Sequence, residues 1–163
     1  MADLKLSISS MSYEKKDDIK VLNSCLSQWF SNPKILHFVS PSMRYPFKIQ
    51  QWVNQSYTKQ SNTLVLKLDN WIIGHLSFRT NDQTKTANIY HLIIEPNHRR
   101  MGYGAQLISH TERLIINSKI ERITINVQNN NQIAKNFYEQ NGFSAVKKTK
   151  SGRIKMLKVI KRL

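Results

Sequence analysis

Residues 95–107 read EPNHRRMGYGAQL, and they restrict the folds open to this chain more than any other stretch. An apolar run, IYHLII, enters them and an amphipathic run, GAQLISHTERLIIN, leaves. A strand must end, a loop carrying two arginines and two glycines must turn, and a helix must begin, all within this segment. A loop that is both cationic and stripped of side chains suits a phosphate. Unsatisfied N–H groups and the helix dipole converge at a helix N-terminus, and glycines at 102 and 104 let a backbone approach closely. Arg99 and Arg100 add charge there, or are simply solvated.

Spacing rules out two familiar phosphate loops. A P-loop needs Gly-x4-Gly-Lys-Ser/Thr, and neither Gly102 nor Gly104 is followed by lysine. A dinucleotide-binding turn needs glycine or alanine where this chain has Leu107. It also needs an acidic residue closing the next strand, which here reads INVQNN.

The flanking elements follow from periodicity. Residues 4–9 alternate as a first strand, and Ile19, Leu22, Cys25, Leu26 and Phe30 set a helix between Tyr13 and Phe30. A second helix follows SPSMRYP, with Phe47, Ile49, Trp52 and Val53 on its apolar side. NTLVLKLD, WIIGHLSFRT and ANIYHLIIEP then read as three strands, joined by turns at Asp69-Asn70 and NDQTK. Leu107, Ile108, Thr111, Leu114 and Ile115 mark the helix after the glycine loop. RITINVQ is a strand, NQIAKNFYEQNGF a helix capped by Gly142, and AVKKTK and RIKMLKVI a hairpin about Ser151-Gly152. The order is β-α-α-β-β-β-α-β-α-β-β, a single α/β domain over residues 1–163. Its sheet is mixed and mostly antiparallel, of about seven strands flanked by about four helices.

Composition enters through charge. Lys and Arg number 25 against 10 Asp and Glu, a net +15, and the last twenty residues hold eight basic groups and no acid. Nucleic acid, acidic protein or a polyphosphorylated cofactor would each suit such a surface, and so would plain solubility. One cysteine, Cys25, excludes an internal disulfide and fits a reducing compartment. No signal peptide or membrane-spanning run is evident, and a cytoplasmic location is expected.

Two motifs converge on one family. RRMGYG, preceded by IIEP, resembles the Gln/Arg-x-x-Gly-x-Gly/Ala signature of the GNAT superfamily, the acetyl-CoA-dependent N-acetyltransferases. NQIAKNFYEQNGF resembles that family's Asn-x-x-Ala-x-x-x-Tyr-x-x-x-Gly-Phe helix, matching at Asn131, Ala134, Tyr138, Gly142 and Phe143. The element order is similar too. The resemblance implies acetyl transfer from acetyl-CoA to a primary amine in a ternary complex, with no metal. It implies that the backbone of Leu92, Ile93 and Ile94 pairs with pantetheine. The amides of Arg100, Met101, Gly102, Tyr103, Gly104 and Ala105 would hold the pyrophosphate, with Arg99 beside them. Asn131 would bind the cofactor arm or cap its helix. Tyr138 would act as general acid toward the CoA thiolate, or else pack in the core.

The general base departs from the pattern. Asn88 and Asn126 stand where relatives carry glutamates, and neither can take a proton near neutral pH. His91, His75 and Glu95 are the remaining candidates, with Glu95 expected on the surface. The two histidines are expected as approximate cross-strand partners. A basic last hairpin favours an acceptor with nearby negative charge: an amino acid, or a peptide or protein N-terminus. An aminoglycoside-like or other small amine is the alternative, attracted by Glu14, Asp17 and Asp18. Readings of another class are a nucleic-acid- or ribosome-associated module, which lacks any recognised motif, and a catalytically silent acyl-CoA sensor. A homodimer is compatible with the sequence.

Overall fold

Alternation decides which way each strand faces. In β2 (Asn62–Leu68) Leu64 and Leu66 point to one side of the sheet and Val65 to the other, yet all three are buried. The sheet must therefore be covered on both faces. A computed structural model, which describes residues 3–160, shows how. β1 (Leu6–Ser10), β2, β3 (Trp71–Asn81) and β4 (Thr86–Ile94) pair antiparallel, and β5 (Arg122–Gln128) joins β4 in parallel. β7 (Arg153–Val159) and β6 (Ser144–Lys148) complete the order β1-β2-β3-β4-β5-β7-β6.

On one face lie α4 (Tyr103–Ile115) and α5 (Gln132–Gln140). Leu107, Ile108, Ile115 and Tyr138 pack there against Leu64, Leu66, Ile73 and Ile89. The other face carries α1 (Lys16–Trp29), α2 (Pro33–Val39) and α3 (Ile49–Lys59), whose Leu22, Leu26, Leu36 and Trp52 meet Val65, Ile72 and Ile93.

The mixed α/β architecture is the one expected from the sequence, with α2 added. PKILHFV is too short for an apolar stripe to register, but its start is signposted. Pro33 opens the helix, and Asn32 caps it by accepting from the Lys34 amide at 2.9 Å. The first helix begins at Lys16 rather than Tyr13. Tyr13 instead drops from the preceding turn into the interior.

The parallel pairing of β4 with β5 is brief. It spans Thr86↔Arg122, Ala87↔Ile123 and Asn88↔Thr124, after which the two strands part. At the last rung the Asn88 side chain donates to the Thr124 hydroxyl at 3.0 Å and to its carbonyl at 3.3 Å. β4 continues to Ile94 held by β3 alone.

Trp52 is the centre of the α1–α3 layer. It is fully buried, lies 5.5 Å from the Phe30 ring and 5.7 Å from Phe47, and stacks on His91 at 3.7 Å. Trp52→Ala should therefore lower stability by about 3–5 kcal/mol, read from urea unfolding. A loss under about 1 kcal/mol would mean that this layer is not packed as described.

Candidate active site

The parting of β4 from β5 is accompanied by a bulge. Ser77 pairs with Tyr90 and His75 with Ile93, so β4 carries one extra residue between them. His91 takes up the difference in the left-handed region, φ 52°. Period-two alternation is thereby reset. Ala87 and Ile89 face α4 before the bulge, and Leu92 and Ile94 do so after it. Tyr90 and His91 both face the α1–α3 layer, their rings 4.7 Å apart. From Ile89 to Ile94 the β4 edge toward β5 has no strand partner, and such an edge can accept an added extended segment.

A buried hydrogen-bonded network braces the bulge from below. His75 Nδ1 lies 2.8 Å from the His91 carbonyl, which can only accept, so Nδ1 carries the proton. The lone pair on His75 Nε2 then accepts from the Tyr13 hydroxyl at 3.2 Å, and Tyr13 accepts from Trp52 Nε1–H at 3.2 Å. His91 Nε2–H reaches Ser40 Oγ at 3.1 Å. Burial holds both imidazoles neutral. It lowers His75 from 6.5 to about 4 against the opposing His91 carbonyl, and His91 is lowered further by its neighbours His75 and Lys59. The histidines are not direct cross-strand partners, because the bulge moves His75 opposite Ile93. Tyr13, Trp52 and Ser40 belong to this site although the sequence offered no signal for them beyond apolar or turn patterning.

The glycine loop divides its labour differently from the expectation. Gly102 precedes α4 at φ 81°, and a side chain there would meet nothing within 4 Å. No side chain caps the helix, and Gln106 N–H bonds back to the Gly102 carbonyl at 3.1 Å. The amides of Tyr103, Gly104 and Ala105 therefore have no partner within the helix. Gly104 is buried, and a Cβ on it would stand 2.9 Å from Cζ of Phe137. Its missing side chain also serves the packing of α4 on α5. Arg100 is exposed at φ 61°, and Met101 is half exposed. Arg99 turns back so that its Nε donates to the Ile94 carbonyl at 3.1 Å.

The other candidates are placed as follows. Asn131 caps α5 by accepting from the Ala134 amide at 3.2 Å. Tyr138 is buried between Phe137 and Phe143, and burial pushes its phenol well above its usual value, so it keeps its proton at neutral pH. Asn126, on β5 past the parting, has a buried Oδ1 with no hydrogen-bond partner among the described residues. Glu95, expected on the surface, is less exposed than that. It is only partly exposed and pairs with His98 Nδ1 at 2.6 Å within the turn leaving β4.

A model of the acetyltransferase (GNAT) family matches residues 25–143. Solved structures share the fold at low identity. A PaiA N-acetyltransferase from Thermoplasma acidophilum in complex with coenzyme A is 18% identical, with TM-score 0.71, over 95% of this chain and 99% of that one. The ribosomal-protein-S18-alanine N-acetyltransferase of Escherichia coli is 16% identical, with TM-score 0.70, over 98% and 96%. The GNAT domain of PAT from S. lividans is 13% identical, with TM-score 0.79, over 97% and 94%.

Two outcomes follow from this geometry. Unfolding should become easier as pH falls from about 6.5 to about 4, because the unfolded chain binds a proton that folded His75 refuses. That gap of about 2.5 in pKa corresponds to roughly 3 kcal/mol. His75→Gln should flatten the dependence in urea titrations, and an unchanged slope would show that His75 is not buried neutral. Gly104→Val should cost about 1–3 kcal/mol by overpacking. Adding Phe137→Leu should recover part of that loss, whereas strictly additive losses would exonerate the Phe137 contact.

Proposed function

The chain belongs to the acetyltransferase (GNAT) family, and from that premise we propose that it transfers an acetyl group from acetyl-CoA to a primary amine within a ternary complex. One juxtaposition carries the reading. The unpartnered edge of β4 ends beside an uncapped helix N-terminus, one suited to an extended amide-bearing arm and the other to a pyrophosphate. The T. acidophilum protein of this fold, which holds coenzyme A, supports it.

In this assignment Leu92, Ile93 and Ile94 offer backbone groups to the pantetheine. The amides from Arg100 through Ala105 face the pyrophosphate, with Arg99 adding charge through the guanidinium nitrogens that Ile94 does not use. Asn131 keeps its cap through Oδ1 and has its amide nitrogen for the cofactor arm. The amine nitrogen forms a bond to the acetyl carbon as the carbon–sulfur bond breaks. Tyr138 supplies a proton to the departing sulfur, and the surplus proton on nitrogen leaves to water. Tyr138 is protonated at neutral pH, so its hydroxyl has a hydrogen to offer the sulfur as negative charge develops there.

The base remains the solvent. Neither Asn88 nor Asn126 can accept the proton, Glu95 is committed to His98, and both histidines are neutral and hydrogen-bonded within the sheet support. Such a site suits an amine that is already partly neutral. At about pH 7.4 an α-amine of pKa about 7.7–8.0 is about a fifth to a third deprotonated, whereas a lysine amine is so in about one molecule per thousand. An amino acid, or a peptide or protein N-terminus, is thus the acceptor class, and the cytoplasm the place.

An amine panel scored for CoA release tests the reading. An N-terminal α-amine should be the better substrate, and Tyr138→Phe should lower kcat by about 10²–10⁴-fold with the acetyl-CoA KM within a few fold. Stabilisation by acetyl-CoA without turnover of any amine would make the chain an acyl-CoA sensor instead.

A further inference from the structure

Several cations share one side of the sheet, and among the described residues no ion pair neutralises Lys59, Arg79, Arg153 or the neighbouring Lys155. Lys59 ends α3, Arg79 lies in β3 and Arg153 opens β7. Register places them together. Ile123, Ile125 and Val127 turn toward α4 and α5, so Thr124, Asn126 and Gln128 face the opposite way. Arg153 pairs with Gln128 and Lys155 with Asn126. Arg79 pairs with Asn88, whose side chain reaches Thr124. Lys59 Nζ stands 4.2 Å from the centre of the Tyr90 ring, two residues beyond Asn88 on that face. The core beneath α1–α3 draws its sheet residues from β2, β3 and β4, and among the described residues none from β5 or β7.

The arrangement lacks something negative. Among the described residues the carboxylate partners are Lys85 on Glu121, His98 on Glu95 and Lys158 on Glu112, and none of these contacts involves the three cations. Burial, then the charges of Arg79 and Arg153, lower the pKa of Lys59, as expected of like charges held close. On the same face, across the gap from β4, the Oδ1 of Asn126 is buried without a donor among the described residues. A buried acceptor left unpaired is disfavoured until water or a ligand completes it.

Resting on the acyl transfer proposed above, we propose that this face is the acceptor subsite and that it selects amines bearing a carboxylate, which Lys59, Arg79 and Arg153 take while Asn126 Oδ1 accepts a hydrogen bond from the attacking amine. Arg153 lies two residues from Lys155, the partner of Asn126, or roughly 7 Å along the strand. An arginine side chain spans that distance, so amine and carboxylate can belong to one small molecule or to adjacent residues of a peptide. The carboxylate is either the acceptor's own α-carboxylate or an acidic side chain next to a free N-terminus.

Three acceptors separate these sources: L-alanine, and the C-terminally amidated tripeptides Ala-Asp-Ala and Ala-Asn-Ala. The carboxylate-bearing acceptors as a class should show the higher kcat/KM, by about tenfold or more over Ala-Asn-Ala for the better of them. Which of the two leads identifies the source. The triple variant K59Q/R79Q/R153Q should raise the KM of that acceptor by about tenfold and leave those of Ala-Asn-Ala and acetyl-CoA within about twofold. Asn126→Leu should lower kcat/KM for all three acceptors. Equal wild-type values for all three, or a triple variant that slows all three alike, would overturn the subsite. If no amine releases CoA, calorimetric titration of L-alanine and Ala-Asp-Ala into the CoA-loaded protein decides independently. Binding lost in the triple variant upholds the carboxylate site while the acyl transfer falls, and no binding of either overturns the site.

Discussion

Everything in the site depends on how soon β4 and β5 stop pairing. Three residue pairs hold them, and the Asn88 side chain spends its amide on the last rung. A longer ladder would pair the edge that Leu92, Ile93 and Ile94 leave open, and the α4 N-terminus would then close off a seamless sheet. A strand edge left unpaired within a sheet is disfavoured by itself, so something must hold it apart. The β4 bulge lies where the strands part, and His91 is fixed there by the β3 residue His75 at its carbonyl and by Ser40 and Trp52 at its ring.

That clamp is polar and deeply buried, which sets its character. Tyr13, Trp52, His75, His91 and Ser40 satisfy one another in a chain of hydrogen bonds, and a fully satisfied network rigidifies what it touches. The same burial makes the imidazoles poor bases. The two residues that looked most like proton acceptors in the sequence are thus part of the scaffold. Charge is divided in space in a matching way. The α4 N-terminus favours anions on one side of the gap, and Lys59, Arg79 and Arg153 form a second positive region on the other.

Much of this was legible in one dimension. Strand alternation, the apolar stripe of α4, the turn at Asp69-Asn70 and the cap at Gly142 are local, because each depends on neighbours within a few positions. The helix α2 carried a readable start at Asn32-Pro33 but too few residues for a period. The bulge was not legible. Tyr90 and His91 obey no rule that distinguishes them from a regular strand, and their placement follows from pairing with β3, a partner chosen by the whole sheet.

The sequence by itself determined the order of every element but α2, the glycine-opened helix after β4 and the tyrosine-bearing helix α5, since periodicity and turn chemistry act over short range. Only the tertiary structure decided what individual residues do. Gly104 looks like a residue of the loop alone until Phe137 is seen against it, where no side chain would fit. His75 looks titratable until burial removes the water that would stabilise its charge. Lys59, Arg79 and Arg153, spread over the chain, become one positive region only when α3, β3 and β7 meet. Desolvation and long-range contact are properties of assembled layers, and no stretch of the sequence contains them.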